Sequence, residues 1–297
     1  MVNNQVLHFL VNLIQKLKPA PRYPGTKKLV TLSPRVRRIT AGNSGVFTGP
    51  GTNTYLIGHK SITVIDPGPA IRAHVRAIEK TCDGRLKRIV VTHTHRDHSP
   101  AARLLSQRTG APVWGMIAKN SPYHETSFEP TYQLTDGEII DDEDYTLRAV
   151  YTPGHASNHF CFILEPEQMI FTGDHIMNGS TVVIAPPDGN MRDYLASLEQ
   201  LKKHPLKIIA PGHGELLKEP KAVMDWIIAH RYEREQKVID VLKSVRAGTL
   251  NSLVKDVYND VSKRVHVLAK LSLEAHLIKL IQEQRVELQG TTYRWKQ

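Results

Sequence analysis

Acidic residues are missing from the first 65 positions of this 297-residue chain, which carry nine basic residues and no aspartate or glutamate. The rest of the chain holds 30 basic against 29 acidic residues, so almost all of the formal net charge of +10 is N-terminal. A basic segment of this kind fits an entry surface for a polyanion, or a solvated arm, which is the commoner meaning of a run of like charges. The net charge alone therefore does not predict nucleic-acid binding.

Cysteine is also scarce, with two residues, Cys82 and Cys161, and no C-x-x-C pair. This excludes a disulfide framework and indicates a reducing compartment. Cys161 lies in the apolar run 160–164 and is predicted to be a buried packing residue. Long apolar runs are absent too: no stretch approaches the roughly 18 consecutive apolar residues of a membrane span. We expect a cytoplasmic protein with no membrane partner, an organelle matrix being the alternative because the N-terminus is basic.

Proline, glycine and apolar spacing divide the chain into four predicted parts. Residues 1–24 are predicted to form an N-terminal amphipathic helix and linker, and they lack the small-residue cleavage site of a secretory signal. Residues 25–218 alternate predicted strands and helices and form the predicted catalytic domain. Residues 219–246 have the spacing of one long linker helix. Residues 247–297 are predicted as short helices followed by a hairpin turning at Gln289-Gly290, which indicates a winged-helix-like domain.

The most informative stretch spans residues 89–98. Its first three residues are apolar and β-branched, which is typical of a strand buried on both faces. Three imidazoles and one carboxylate follow within six residues, from His93, His95, Asp97 and His98. Neutral imidazole nitrogen and carboxylate oxygen suit a Zn²⁺-type cation. Because a strand end is rigid and the loop after it can bend, this one turn can serve two adjacent metals.

Three further predicted strand ends carry ligand-type residues, namely His155, Asp174 and His213. Each of them alone would be interpreted as an ordinary turn residue. Together with the cluster at 93–98 they supply five imidazoles and two carboxylates. That set is too large for one tetrahedral zinc and suits two metals that share a bridging ligand. The sequence therefore predicts two divalent metal ions, with Zn²⁺ as the expected metal.

These residues resemble the metal site of the metallo-β-lactamase-fold hydrolases, over about residues 30–215. The resemblance implies an α+β fold, a four-layer αββα sandwich with a two-metal site at one edge of its sheets, here followed by a small C-terminal winged-helix domain. It also implies that one metal is held by His93, His95 and His155. The other metal is then held by Asp97, His98 and His213, and Asp174 bridges the two.

Shorter segments resemble the lactamase-beta-like protein 2 group, which includes a single-strand-specific endoribonuclease. They are residues 51–56 (GTNTYL), 95–99 (HRDHS), the Thr-Pro-Gly-His turn, Asp193-Tyr194 and residues 293–296 (YRWK). The chain departs from this group at two motif positions, and its predicted N-terminal helix is extra. Pro100-Ala101 stands where the group usually has Gly-Gly, and His175 stands where it has Cys. These departures leave the predicted metal ligands intact and leave the substrate open.

The resemblance also implies roles for residues around the metals. A hydroxide held between the two cations would attack the substrate, with Asp97 orienting it and Asp174 as the bridge. His159 and His175 are candidates for orienting ligand imidazoles or protonating a leaving group, and His159 is interpreted as an ordinary structural histidine. The substrate pocket is predicted to be lined by three residues after the bridge, Asn178, Ser180 and Tyr194.

Two substrate classes stay open for such a hydrolase. Single-stranded RNA is favoured by the basic N-terminal third and the winged-helix tail, and a glyoxalase II-like thioester, ester or lactone hydrolase is the alternative. A persulfide dioxygenase would use a subset of the same ligands, whereas flavodiiron proteins usually carry Glu where this chain has His95. A non-catalytic nucleic-acid binder predicts a decayed metal site, and all seven ligands are present. The C-terminal module can also complete the pocket or form a homodimer.

Overall fold

The structure is a computed structural model that describes residues 28–118, 122–261 and 266–296. The predicted N-terminal helix within residues 1–24 lies outside the described residues. None of the helices in the described ranges combines the length and apolarity that a membrane crossing requires. Both cysteines are free and buried, as predicted for Cys161, and burial raises the pKa of each thiol to about 12.

The first sheet has seven strands that lie in chain order. They are β1 (Val30–Thr31), β2 (Val36–Thr40), β3 (Asn53–Ile57), β4 (Ile62–Ile65), β5 (Leu86–Val90), β6 (Val113–Gly115) and β7 (Tyr132–Gln133). The pairs from β1 to β4 are antiparallel, and those from β4 to β7 are parallel. Two helices make the first two parallel crossovers, α1 (Arg72–Cys82) between β4 and β5 and α2 (Ala101–Thr109) between β5 and β6. Both helices therefore start at the edge where β4 and β5 end.

The second sheet has six strands. They are β8 (Ile139–Asp141), β9 (Thr146–Tyr151), β10 (Phe160–Leu164), β11 (Met169–Gly173), β12 (Ile208–Pro211) and β13 (Leu217–Lys218). Their order is β13-β12-β11-β10-β9-β8, and only β11 and β12 pair in parallel. A 3₁₀ turn at Glu165–Glu167 follows β10, and two helices follow later, α3 (Met191–Leu201) and α4 (Pro220–Val245).

The two sheets stack face to face, and helices cover their outer faces. Val90 packs between the sheets with Phe162 and Phe171, whereas its neighbours Ile89 and Val91 pack against α1 and α2. This alternation buries both faces of the chain at residues 89–91 and explains their continuous apolar run. Helices α3 and α4 cover the second sheet in the same way. The predicted αββα sandwich is confirmed.

The chain ends in a small three-stranded module. Its elements are β14 (Ala247–Thr249), α5 (Leu250–Val257), α6 (His266–Gln282), β15 (Val286–Gln289) and β16 (Thr292–Trp295). The sheet order is β14-β16-β15, and the β15–β16 hairpin turns at Gly290, whose φ of 62° suits glycine. This is the predicted winged helix. Leu273, Leu277 and Leu280 of α6 pack on the end of α4, which fixes the module to the sandwich.

Candidate metal centre

All seven predicted ligands lie at one edge of the sandwich, where strands end. His93, His95, Asp97 and His98 occupy the loop between β5 and α2; His155 lies in the turn from β9 to β10, and Asp174 and His213 follow β11 and β12. Parallel neighbours such as β11 and β12 deliver residues to the same edge because their carboxyl ends coincide. Residues spread over 120 positions of the chain thus meet at one place.

The first metal cluster consists of His93, His95, His155 and Asp174. His95 Nδ1 lies 3.0 Å from His93 Nε2 and 3.1 Å from His155 Nε2. Asp174 Oδ2 lies 3.8 Å from His155 Nε2. Ligands at about 2.0–2.1 Å from a tetrahedral zinc are about 3.3 Å apart. The imidazole nitrogens are therefore close to the spacing of a tetrahedral shell.

The second metal cluster consists of Asp97, His98, His213 and again Asp174. Its nitrogen–oxygen distances run from 3.1 Å, between His213 Nε2 and Asp97 Oδ2, to 3.4 Å, between His98 Nε2 and Asp97 Oδ2. These distances also match the tetrahedral spacing. Asp174 directs Oδ1 to this cluster and Oδ2 to the first, so its carboxylate can bridge two cations.

The nitrogen and oxygen atoms of the second cluster are better placed to bind a cation than to hydrogen-bond to one another. His98 Nε2, His213 Nε2 and Asp174 Oδ1 are buried and have no hydrogen-bond partner among the described residues. Leaving buried polar atoms without partners costs free energy. Three such atoms in one cluster therefore indicate a site for a bound cation. Gly212 keeps the space open, because a Cβ there would lie 2.8 Å from His98 Cε1 and 2.9 Å from Asp174 Oδ1.

Outer hydrogen bonds orient the ligand rings, as is usual at metal sites. Asp66 Oδ2 accepts from His98 Nδ1 at 2.8 Å and from Thr92 Oγ1 at 2.7 Å. The carbonyl of Val183 accepts from His155 Nδ1 at 2.9 Å. Each bond turns Nε2 of the ring toward its cluster. Asp66 was not among the predicted site residues, although it lies just after the end of β4 as His93 lies just after the end of β5, and that shared position was the available signal.

A second support lies behind His95. The ring of His124 stacks on that of His95, with centroids 5.1 Å apart, and its Nε2 lies 2.9 Å from Asp188 Oδ2. Asp188 also accepts from Ser157 Oγ at 2.6 Å. His124 and Asp188 are 64 positions apart and show no motif, so no local signal could have paired them.

The two clusters differ in their electrostatics. Burial and neighbouring imidazoles lower the pKa of His95 to about 3 and that of His93 well below its ordinary value. Neutral imidazoles of this kind bind metal without losing a proton. Burial also acts to lower the pKa of His213 and His98, but the carboxylates of Asp97 and Asp174 raise it, to about 10 for His213. The second cluster thus strongly favours positive charge.

A cavity of about 540 Å³ opens onto both clusters. Among the predicted ligands, His95, Asp97, His155 and Asp174 reach it. Most of its other walls are apolar and come from separate parts of the chain: Phe47, Pro69, Val183, Ala185, Leu268 and Leu271. The last two belong to α6 of the C-terminal module. The module therefore completes the pocket, which was one of the roles considered for it.

The structure does not bring the other predicted site residues to this cavity. Tyr194 is fully buried and its hydroxyl donates to the carbonyl of His175. His175 is also fully buried, because it follows Asp174 in the chain and faces the opposite way, with its ring 4.8 Å from that of Tyr194. Asn178 and Ser180 are exposed and lie outside the cavity walls. The predicted pocket lining by Asn178, Ser180 and Tyr194 is therefore corrected, and His175 cannot touch a substrate there.

His159 fits its interpretation as a structural histidine. It is fully buried, its Nδ1 lies 3.0 Å from Thr152 Oγ1, and its ring packs 5.0 Å from that of His93. Burial lowers its pKa well below the ordinary value, so the ring is neutral. It supports the wall behind the first metal cluster.

A four-layer sandwich with imidazole and carboxylate clusters at one sheet edge defines a class of metal-dependent hydrolases. Residues 47–213 match the sequence model of the Metallo-beta-lactamase superfamily, and residues 249–295 match that of the Beta-lactamase associated winged helix domain. The chain belongs to the metallo-beta-lactamase superfamily and is a hydrolase of that superfamily.

Two curated relatives match almost the whole chain. A protein of Aspergillus chevalieri named atrochrysone carboxyl ACP thioesterase is 32% identical over 292 residues, which cover 92% of this chain and 90% of that protein. A protein of Caenorhabditis elegans named beta-lactamase-like protein 2 homolog is 30% identical over 281 residues, which cover 93% and 94%.

Solved structures share the fold. A metallo-beta-lactamase family protein from Thermus thermophilus superposes with a TM-score of 0.72 at 20% identity, covering 90% of this chain and 100% of that one. A beta-lactamase domain protein from Burkholderia ambifaria gives 0.75 at 17% identity, covering 94% and 97%. Because each superposition covers at least 90% of this chain, the likeness extends beyond the sandwich into the winged helix.

Proposed function

We propose that the chain hydrolyses a thioester whose acyl group is apolar, at a site that holds two divalent cations. The apolar cavity over the two metal clusters carries this proposal, because it offers the acyl group a place to leave water next to the reacting carbonyl. A cavity of about 540 Å³ is in the range of small-molecule sites. The Aspergillus chevalieri relative that is named a thioesterase supports the same class.

The cavity favours this substrate over single-stranded RNA, the first expectation from the sequence. Arg96 is the one lysine or arginine among the described cavity walls. Proteins that hold single strands combine a positively charged groove with aromatic stacking surfaces. Besides Arg96, the described walls that are not predicted ligands carry no charge, and only Phe47 and Tyr123 among them are aromatic, so the cavity offers a polyanion little of either feature.

The reaction needs one water molecule. Two cations, when bound, would make hydroxide available near neutral pH and polarise the thioester carbonyl. His93, His95 and His155 would hold one cation and Asp97, His98 and His213 the other. Asp174 would keep the two close by offering one oxygen to each. Water adds to the carbonyl carbon, the carbon–sulfur bond breaks, and the products are a carboxylic acid and a thiol.

A side-by-side assay tests the proposal. The purified full-length chain is analysed for metal, with two zinc ions per chain expected, and is then given straight-chain acyl thioesters of coenzyme A, S-lactoylglutathione and single-stranded RNA. Because burying a methylene group contributes about 0.8 kcal/mol, kcat/KM should rise up to about fourfold per methylene until the cavity is full. RNA cleavage without thioester hydrolysis would overturn the proposal.

Substitutions of cluster residues test whether activity can be lost while the protein stays folded. Asp174→Asn and His95→Ala should each abolish hydrolysis and lower the metal content while the circular dichroism spectrum keeps its folded form. Ser180→Ala is the matched control, because Ser180 is exposed and lies outside the cavity. It should keep wild-type kcat and KM. Hydrolysis retained by Asp174→Asn after its metal is lost would contradict the mechanism.

A further inference from the structure

A second concave surface lies between α1 and α2 on the outside of the first sheet. It encloses about 450 Å³ and is lined by Arg72, Val75, Arg76, Leu104 and Arg108. We call this surface the arginine groove. Three of its five walls are therefore guanidinium side chains, and none is a carboxylate.

Two of these arginines have no acidic partner. Arg72 and Arg76 are exposed, lie one helical turn apart, and form no ion pair with any described residue. Like charges one turn apart weaken a helix. The arrangement is thus unfavourable for α1 itself and is suited to an anion that binds between the side chains.

The third arginine is held in place. Arg108 donates from Nε and Nη2 to Glu79 Oε2, at 2.9 and 2.7 Å. This pair orients one guanidinium at the far end of the groove. The groove keeps an excess of positive charge, because Glu79 is the one described carboxylate that pairs with any of the three arginines.

The arginine groove starts beside the cavity. Pro69 is a cavity wall, and Arg72 follows it by three residues, so their Cα atoms are at most about 10 Å apart. Gly68 N donates to the carbonyl of His98 at 2.8 Å, and Ala101 N donates to the carbonyl of Gly68 at 3.0 Å. These bonds tie the starts of both helices to the metal-ligand loop. An extended substrate that spans this short distance would reach from the cavity into the groove.

We propose that the arginine groove binds the phosphate groups on the thiol half of the substrate, while the cavity holds the acyl half. This inference rests on the thioesterase function proposed above. Guanidinium groups bind phosphate through paired hydrogen bonds, and 450 Å³ exceeds the space of a single phosphate. Coenzyme A and the phosphopantetheine arm of a carrier protein share this chemistry, a phosphorylated pantetheine thiol.

The test compares substrates that differ only in the thiol half. Octanoyl-coenzyme A, an octanoyl carrier protein and octanoyl-N-acetylcysteamine, which has no phosphate, are given to the full-length chain. In Arg72→Ala/Arg76→Ala, kcat/KM for a phosphorylated thioester relative to octanoyl-N-acetylcysteamine should fall about tenfold or more, mainly through KM. Comparing octanoyl-coenzyme A with the octanoyl carrier protein shows which of the two phosphorylated thiols the groove binds.

The matched control is Lys221→Ala/Lys255→Ala. It also removes two exposed positive charges, on α4 and α5 in the other half of the molecule, and it should leave the ratio unchanged. An equal fall with all three thioesters, or no fall with either phosphorylated one, would overturn the inference. A fall in the control of the same size would do so too, because it would indicate a general effect of net charge.

A binding measurement separates this inference from the proposed function. If none of the thioesters is hydrolysed, the proposed function fails, and calorimetry with coenzyme A itself then tests the groove. Binding that Arg72→Ala/Arg76→Ala weakens about tenfold would support a phosphate site. Wild-type protein that does not bind coenzyme A would overturn it. The inference would also be overturned if a single-stranded oligoribonucleotide bound more tightly than coenzyme A and the same variant lost that binding.

Discussion

Asp66→Asn tests how the fold selects the metal-binding form of His98. In the structure Asp66 Oδ1 accepts from Thr92 N at 2.7 Å, and Oδ2 accepts from both Thr92 Oγ1 and His98 Nδ1. An asparagine has one acceptor oxygen in place of two. If its NH₂ group faces Thr92 N, two donors meet. If it faces His98, the imidazole loses its bond or moves its proton to Nε2, the atom directed at the second metal cluster.

Either orientation weakens the second metal cluster. Loss of such an outer hydrogen bond typically costs about 10–100-fold in metal affinity, or about 1.4–2.7 kcal/mol. The metal-free protein should also lose about 1–3 kcal/mol of unfolding free energy, because a buried donor is left unsatisfied. The substitution preserves the size of the side chain, so packing is not the cause of either loss.

The measurement is a zinc titration of metal-free protein by calorimetry, with denaturant unfolding in parallel. Asp66→Asn should weaken zinc binding at the second metal cluster more than at the first. Asp188→Asn is the comparison, because it acts through His124 on His95 and should weaken the first metal cluster more. Wild-type affinity at both clusters in Asp66→Asn, or the same loss pattern in both variants, would refute the reasoning.

Three other substitutions test separate parts of the molecule. Leu271→Ala should lower kcat/KM for long-chain but not acetyl thioesters by about 1–2 kcal/mol, roughly five- to thirtyfold, because it shortens an apolar cavity wall; an equal effect on acetyl thioesters would contradict this. Gly154→Ala should lose zinc at the first metal cluster and lower the melting temperature, since its φ is 138° and a Cβ would lie 2.3 Å from Tyr194 Cα; metal analysis and thermal denaturation check it. Burial raises the pKa of Glu235, but hydrogen bonds from His276 and Lys279 outweigh it and lower that pKa below 4.5. The stability that Glu235 contributes is thus present above pH 4.5 and lost below it, so Glu235→Gln should cost about 1–3 kcal/mol in denaturant unfolding at pH 7 and less in acid; a constant difference would argue against the ion pair.

The residues of the two clusters could be predicted because the signal for each is local. His93, Asp174 and His213 each come within three residues of the end of a strand, and strands that end together place such residues at the same edge. The same rule applies to Asp66, which follows β4. It was not recognised because Asp-Pro-Gly is also the sequence of an ordinary turn. Position after a strand does not decide which way a side chain faces. That is why His175, next to Asp174, was considered for protonating a leaving group although its ring is buried away from the cavity.

The sequence by itself determined which residues form the two clusters, the αββα class and the hairpin of the winged helix, because these depend on residue type, spacing and turn chemistry. Only the tertiary structure decided what surrounds the metals. Leu268 and Leu271 reach the cavity because α6 packs on α4, and Arg72 and Arg108 share a groove because α1 and α2 lie side by side. Such contacts join positions far apart in the chain. They depend on how whole helices pack, and no short sequence motif indicates that packing.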